Sequence, residues 1–278
     1  MPVDGRIVAG RGSTHRRAGA RGARRVDVSE VIEAFAWGLL ASSGLVAGML
    51  VGVTGRLAHR VVAAVMSVGA GVLLATATID LTTHALEQVG VAASVASIVV
   101  GAVVFSLANA ALANARDRKR CGECVAQPTE ADAPGSGTSI ALGTALDAIP
   151  EAAVLGISLA DGAPDIALVL GLALGNVPEA LSSAVGMRHA GRSFRYVAGL
   201  WSAIALGAAL ATAFASRALI HLGPAPIAVT EAGAAGALLA MAAETMIPEA
   251  FHGSPRFSGT LAAIGYVALL VLGAATSP

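Results

Sequence analysis

A Pro-Glu-Ala tripeptide occurs three times in this 278-residue chain, each time within a long apolar stretch. The three carboxylates belong to Glu151, Glu179 and Glu249, and each directly follows its proline. Proline inside a helix removes one backbone hydrogen bond and frees the carbonyl oxygen four residues earlier. Carboxylate and carbonyl oxygens that lie together at a kink are ligands that suit a divalent cation.

Another polar or acidic side chain lies about one helical turn before each tripeptide. Asp147 precedes Glu151 by four residues and Asn176 precedes Glu179 by three, so each pair lies on one face of a helix. Glu244 precedes the third tripeptide. If the two helices that carry the first two motifs are antiparallel neighbours, their four side chains lie at comparable depths. The pattern therefore predicts a cation site formed by Asp147, Glu151, Asn176, Glu179 and Glu244.

The stretches that hold these residues are apolar enough to cross a membrane. The chain is 55% hydrophobic and 13% charged, with a mean hydropathy of +0.74, whereas soluble domains carry about 25% charged residues. Apolar runs of roughly 17–25 residues indicate membrane-spanning helices, because backbone groups in lipid must hydrogen-bond within the segment. Eight spans are expected, and they cover 31–54, 61–83, 91–114, 138–160, 165–187, 197–219, 226–250 and 258–275.

Charged residues outside the spans predict the orientation in the membrane. Ten Arg or Lys residues lie in the loops on one side and only Arg217 on the other, and the positive-inside rule places the first side in the cytoplasm. Both termini are then expected outside the cell membrane. The seven arginines of the N-terminal tail oppose this orientation, since they would have to be translocated.

The same distribution of charged and apolar residues divides the chain into four parts. Residues 1–30 are expected to be a disordered basic tail, and 31–114 to form the first three spans. Residues 115–137 are charged and then rich in Gly and Pro, which predicts a flexible cytosolic loop. Residues 138–278 hold spans four to eight.

The spans that carry the three motifs contain no Lys or Arg. A carboxylate at the centre of a bilayer costs at least about 2.5–3.5 kcal/mol. Three of them without neutralising bases favour a bound cation and exclude an anion. The alternative, in which each glutamate marks a kink and is protonated or hydrogen-bonded to a neighbouring Ser, Thr or backbone group, stays open.

Two further groups of residues offer metal ligands away from the motifs. Asp80 and His84 are four residues apart near the outer end of span two, and they are candidates for an outer metal-capturing pair or for solvated interfacial residues. Cys121 and Cys124 form a CxxC in the cytosolic loop, which is half of a structural zinc site. His252 is interpreted as a histidine at a helix end.

The motif-bearing stretches resemble those of the ZIP (Zrt/Irt-like) divalent metal transporters, in a bacterial branch of the family. The paired signatures are TALDAIPEAAVLGISL and ALGNVPEALSSAVGM, and AGALLAMAAETMIPEAF, SVGAGVLLATATIDL and VGAVVFSLANA are also similar. The resemblance covers 31–275. It implies an all-α, eight-helix transmembrane bundle in a three-two-three arrangement, with both termini outside, a variable cytosolic loop after span three and metal uptake toward the cytoplasm.

Carried over position by position, the resemblance implies metal binding by Glu151 and Glu179. Asp147 stands where the family has its first histidine, and Asn176 stands at a position that is usually acidic. Three further ligand positions of the family hold residues that cannot bind a metal, namely Ala148, Gly175 and Ala205. These departures leave one oxygen-rich site in place of a two-metal centre, and oxygen ligands tolerate manganese or iron(II) as well as zinc.

The expected function is transport of divalent metal cations, with zinc first and iron, manganese or cadmium as further candidates. The alternative is a protein of the same family that senses metal or assists a partner without transporting. No enzyme activity is expected, and a membrane hydrolase is disfavoured because an HExxH motif is absent. No resident cofactor is expected, because the metal is the substrate. The expected partners are divalent metal ions and the lipid bilayer, with a homodimer left open and no nucleic acid.

Overall fold

The computed structural model describes residues 28–54, 57–114, 136–161, 165–219, 222–253 and 256–276. Helices account for 94% of these residues, and no strand occurs among them. The elements are α1 (Val28–Gly52), α2 (His59–Ala75), a π-helical turn (Thr76–Leu81), α3 (Thr82–Asn114), α4 (Ser136–Asp161), α5 (Ile166–His189), α6 (Phe194–Leu219), α7 (Pro224–Met241), a second π-helical turn (Ala242–Met246), α8 (Ile247–Gly253) and α9 (Ser258–Thr276).

Seven helical segments within the described ranges are long and apolar enough to cross a membrane, as expected for a multi-pass membrane protein. They are Val28–Gly52, His59–Ile79, Thr82–Ala111, Ile166–His189, Phe194–Ala218, Pro224–His252 and Ser258–Thr276. The all-helical fold and seven of the eight expected spans are thus confirmed. The remaining expected span is helical as α4, but α4 is not among the seven, and it holds both Asp147 and Glu151. The tail up to residue 27 and most of the 115–137 loop, with Cys121 and Cys124, lie outside the described residues.

The helix that corresponds to the expected span two is longer than the sequence predicts. Span two was expected to end at 83, but helix continues through the first π-helical turn and into α3 as far as Gly90. Gly90 has φ 75° and ψ 173°, a backbone conformation that residues with a β-carbon avoid. The polar residues before it stay helical, and Thr82 closes the π-helical turn by donating its hydroxyl to the Ala77 carbonyl at 2.7 Å.

The three prolines of the repeated motif lie in two different settings. Pro150 and Pro178 are inside the long helices α4 and α5. Pro248 is instead the second residue of the short helix α8, directly after the second π-helical turn. A π-helical turn bonds residues five apart and rotates everything beyond it relative to an α-helix. The third motif therefore presents its side chains differently from the first two.

Glycines bring the backbones of neighbouring helices close together, which fixes the position of α5. Gly44 and Gly48 of α1 lie against the backbone carbonyls of Ala173 and Val177, and a β-carbon at either glycine would overlap them. Small residues four apart allow this approach between helices in a membrane. The contact sets the position of α5 around Asn176, one of the predicted ligands.

Candidate metal centre

Glu151 is the most deeply buried carboxylate of the three motifs. Its residue is 5% exposed, and its Oε1 atom has no hydrogen-bond partner among the described residues. A buried carboxylate oxygen without a donor is costly to maintain, because the energy of hydration is lost and nothing replaces it. Such an oxygen in an apolar bundle therefore requires an explanation, and a cation is one.

Two of the other predicted ligands lie beside Glu151. Asn176 of α5 is 3% exposed, and its amide lies within hydrogen-bonding reach of the Glu151 carboxyl group. Asn176 also donates from Nδ2 to the Ala41 carbonyl of α1 at 3.3 Å, which holds the amide between three helices. Asp147, one turn before Glu151 on α4, is close enough to interact with it electrostatically. The structure thus brings Asp147, Glu151 and Asn176 together.

Glu179 is half-buried one turn beyond Asn176 on α5. Its position on the same side of the helix follows from the three-residue spacing. Among the described residues, no group of three or more His, Cys, Asp or Glu side chains is placed to hold one metal ion. The ligand role of Glu179 therefore stays a prediction, and the described centre consists of two carboxylates and one amide.

Glu244 contacts a different helix from the one that the sequence suggested. Its carboxylate accepts hydrogen bonds from the Ser106 hydroxyl and, at 2.8 Å, from the Asn109 amide, and both donors belong to α3. Glu244 lies within the second π-helical turn, so its direction differs from that expected of a regular helix. Its described contacts are with α3, and its role as a ligand stays a prediction.

Glu249, the carboxylate of the third motif, is hydrogen-bonded to α5. It accepts a hydrogen bond from the Ser182 hydroxyl, one turn beyond Glu179. The sequence identified the motif but assigned the ligand role to Glu244 instead. Ser182 offered no signal of its own, because serines are frequent wherever membrane helices pack closely.

Another buried carboxylate, Glu231 on α7, was missed by the sequence analysis altogether. Its side chain is 7% exposed and lies 2.5 Å from Nδ1 of His84, measured at Oε2. Glu231 belongs to no repeated motif, and its partner, His84, is 147 positions away in the sequence. Its position as an acid within an expected span was the one signal that could have found it. The side chain of Asp80 lies outside the described part of the structure, so its predicted outer role stays a prediction.

The side chains gathered around Glu151 have the chemistry of a hard cation site. Carboxylate and amide oxygens bind Mg²⁺, Ca²⁺, Mn²⁺ and related ions, and they bind zinc with less selectivity than imidazoles or thiolates do. No model of a known protein family matches the sequence, and a search among curated proteins finds no match. The function is therefore argued from the chemistry of these residues.

Proposed function

We propose that the chain is a membrane carrier for divalent metal cations, and that the cation binds between α4 and α5 at Asp147, Glu151 and Asn176. The observation that carries the proposal is the Oε1 atom of Glu151, which is buried and lacks a partner among the described residues. A divalent ion would satisfy this oxygen and neutralise the two neighbouring carboxylates at once. Glu179, one turn along α5, is proposed as a further ligand.

The proposed arrangement is the eight-span, ZIP-like bundle in which α4 is also a membrane span. Two acids, Asp147 and Glu151, lie within α4, and polar groups within spans typically mark the path of a transported ion. Zinc is the first candidate substrate, and manganese, iron(II) and cadmium follow because the proposed ligands are oxygens. Uptake toward the cytoplasm is proposed from the resemblance alone, and the arginine-rich loops on one side of the chain predict only its orientation in the membrane.

Proton exchange is the coupling that this chemistry favours. A metal ion binds the deprotonated form of a carboxyl group, so binding releases protons and unloading takes them up again. The cycle needs a movement that opens the centre to one side at a time, as in other carriers with a site at the midplane.

Metal uptake into proteoliposomes tests the proposal. Purified protein is reconstituted around a metal-sensitive dye, and zinc and manganese are added outside. We expect dye-detected uptake by the wild type and a loss of about tenfold or more for Glu151→Gln, since a central ligand is neutralised with little change in volume. The matched control is Glu33→Gln, which removes the same charge from an exposed position on α1 and should leave uptake unchanged.

Two outcomes would redirect the proposal. Uptake by Glu151→Ala/Glu179→Ala at the wild-type rate would show that the cation binds elsewhere. Metal binding by the wild type in detergent, without uptake of any metal tested, would favour the alternative of a sensing or partner-assisting protein.

A further inference from the structure

His84 and Glu231 form a polar contact between two helices, away from the α4–α5 centre. His84 lies near the start of α3 and Glu231 in the middle of α7, and their Nδ1 and Oε2 atoms are 2.5 Å apart. When the Glu231 carboxylate is ionised it only accepts hydrogen bonds, and Nδ1 of the imidazole then carries the proton and donates it. The second ring nitrogen, Nε2, takes part in no hydrogen bond that the structure describes.

The two partners differ in how far they are buried. The side chain of Glu231 is 7% exposed, whereas that of His84 is 37% exposed. The carboxylate is therefore fixed inside the bundle, while the imidazole reaches its surface. A metal-binding histidine typically donates its other ring N–H to a carboxylate, which fixes the tautomer and orients the ring. The pair has this arrangement, with Nε2 as the nitrogen left to face an ion.

The pair lies at the end of the bundle where α1 begins and α6 ends. Arg217 near the end of α6 donates to Glu30 near the start of α1 at 2.6 Å, which places these two helix ends together. The short connection from α6 to α7 brings the start of α7 to the same end, and Glu231 follows two turns later. This is the outer end in the proposed orientation.

The described part of the outer end carries more carboxylates than basic groups, whereas the arginine-rich tail before residue 28 lies outside the described residues. Among the described residues, Arg217 is the one basic residue there besides His84, and the acids outnumber it. Those acids are Glu30, Glu33, Glu87, Asp165 and Glu231.

We propose that His84 is a metal ligand at the outer mouth of the carrier, and that Glu231 is the positioning residue that aims its Nε2 atom at an incoming divalent cation. Among the described residues, no third His, Cys, Asp or Glu joins the pair, and the side chain of Asp80 lies outside the described part of the structure. A site with a small number of protein ligands binds the ion weakly, which suits an entry site that must release the ion to the centre of the carrier. The purpose of this site rests on the proposed transport function, but its binding chemistry does not.

Zinc protection of His84 from acylation tests the site directly. The full-length protein in detergent is treated with diethyl pyrocarbonate at increasing zinc concentrations, and the modification of each histidine is followed by peptide mass spectrometry. We expect zinc to slow the modification of His84. The internal references are His189 and His252, which are exposed and lie toward the opposite end, and whose rates should not change.

Variants at position 231 distinguish the orientation of the His84 ring from the negative charge of Glu231 as the cause of zinc binding. Glu231→Leu should raise the zinc concentration that half-protects His84 by about 10- to 100-fold, since it removes the group that aims the ring. Glu231→Gln should restore most of the protection, because its amide oxygen still accepts the proton of Nδ1. Glu87→Gln, an exposed acid of the same end, is the control for charge alone and should leave protection unchanged.

Equal modification of His84 with and without zinc would overturn the inference, and so would full protection in Glu231→Leu. The same assay in a Glu151→Gln/Glu179→Gln background makes the two proposals distinguishable. Protection of His84 without uptake by the wild type would contradict transport alone. Uptake with an unchanged KM in His84→Ala would contradict the outer site alone, because the inference expects a higher KM at an unchanged maximal rate.

Discussion

Glu151 in the α4–α5 crossing and the carboxylates of the α7–α8 segment have different surroundings. Glu151 in the crossing keeps one buried oxygen without a donor among the described residues. Along α7–α8, each of Glu231, Glu244 and Glu249 is bonded to a side chain of another helix. The same acidic side chain thus has two settings in one bundle: along α7–α8 it connects helices through hydrogen bonds, whereas Glu151, the proposed cation ligand, keeps one oxygen without a donor.

The largest expected difference between Glu151 and the α7–α8 carboxylates is the effect of their substitution on the stabilisation of the folded protein by metal. A ligand at 100 times its dissociation constant stabilises the folded protein by about 2.7 kcal/mol. We expect zinc or manganese to raise the melting temperature of the wild type and of Glu249→Gln, but not that of Glu151→Gln. Differential scanning fluorimetry in detergent, with and without metal, measures this. The comparison fails if Glu249→Gln abolishes the metal response while Glu151→Gln retains it.

The residues that sequence spacing could place are those on regular helices. Asp147 and Glu151 are four apart on an uninterrupted α4, so their shared face was predictable. The neighbouring position of Asn176 followed from a short connection between two apolar helices. In the structure both Asp147 and Asn176 lie beside Glu151, and their roles as ligands stay predictions.

The second π-helical turn and the contact of Glu231 with His84 could not be predicted from the sequence, for physical reasons. A π-helical turn adds about one residue to a helical turn, so the residues after it are rotated by roughly 100° about the helix axis. The residue types of the Ala242–Met246 segment do not predict such a turn. Glu244 therefore faces Ser106 and Asn109, whereas Glu249 meets α5. Glu231 depends on a contact with a residue 147 positions away, which local spacing cannot reveal.

Removing each carboxylate in the absence of metal should change stability in opposite directions. A buried polar group without a partner costs about 1–3 kcal/mol. We expect Glu151→Met to stabilise the metal-free protein by up to that amount, because it removes the unpartnered oxygen and roughly keeps the volume, while Asn176 keeps its hydrogen bond to the Ala41 carbonyl. Glu249→Met should destabilise it, because the Ser182 hydroxyl loses its acceptor. Melting temperatures measured in a chelator test both signs, and a loss of stability in Glu151→Met would show that its carboxylate is structurally satisfied.

The smallest effect is expected at two adjacent serines of α5, which form a matched pair. The Ser182 hydroxyl donates to Glu249, whereas the buried hydroxyl of Ser183 has no partner among the described residues. Hydrogen bonds between membrane helices contribute about 0.6 kcal/mol on average. We expect Ser182→Ala to lower the melting temperature in chelator slightly, and Ser183→Ala to leave it unchanged or raise it. A double-mutant cycle of Ser182→Ala with Glu249→Gln then isolates the contact, because a coupling near zero would mean that the third motif does not hold α5 in place.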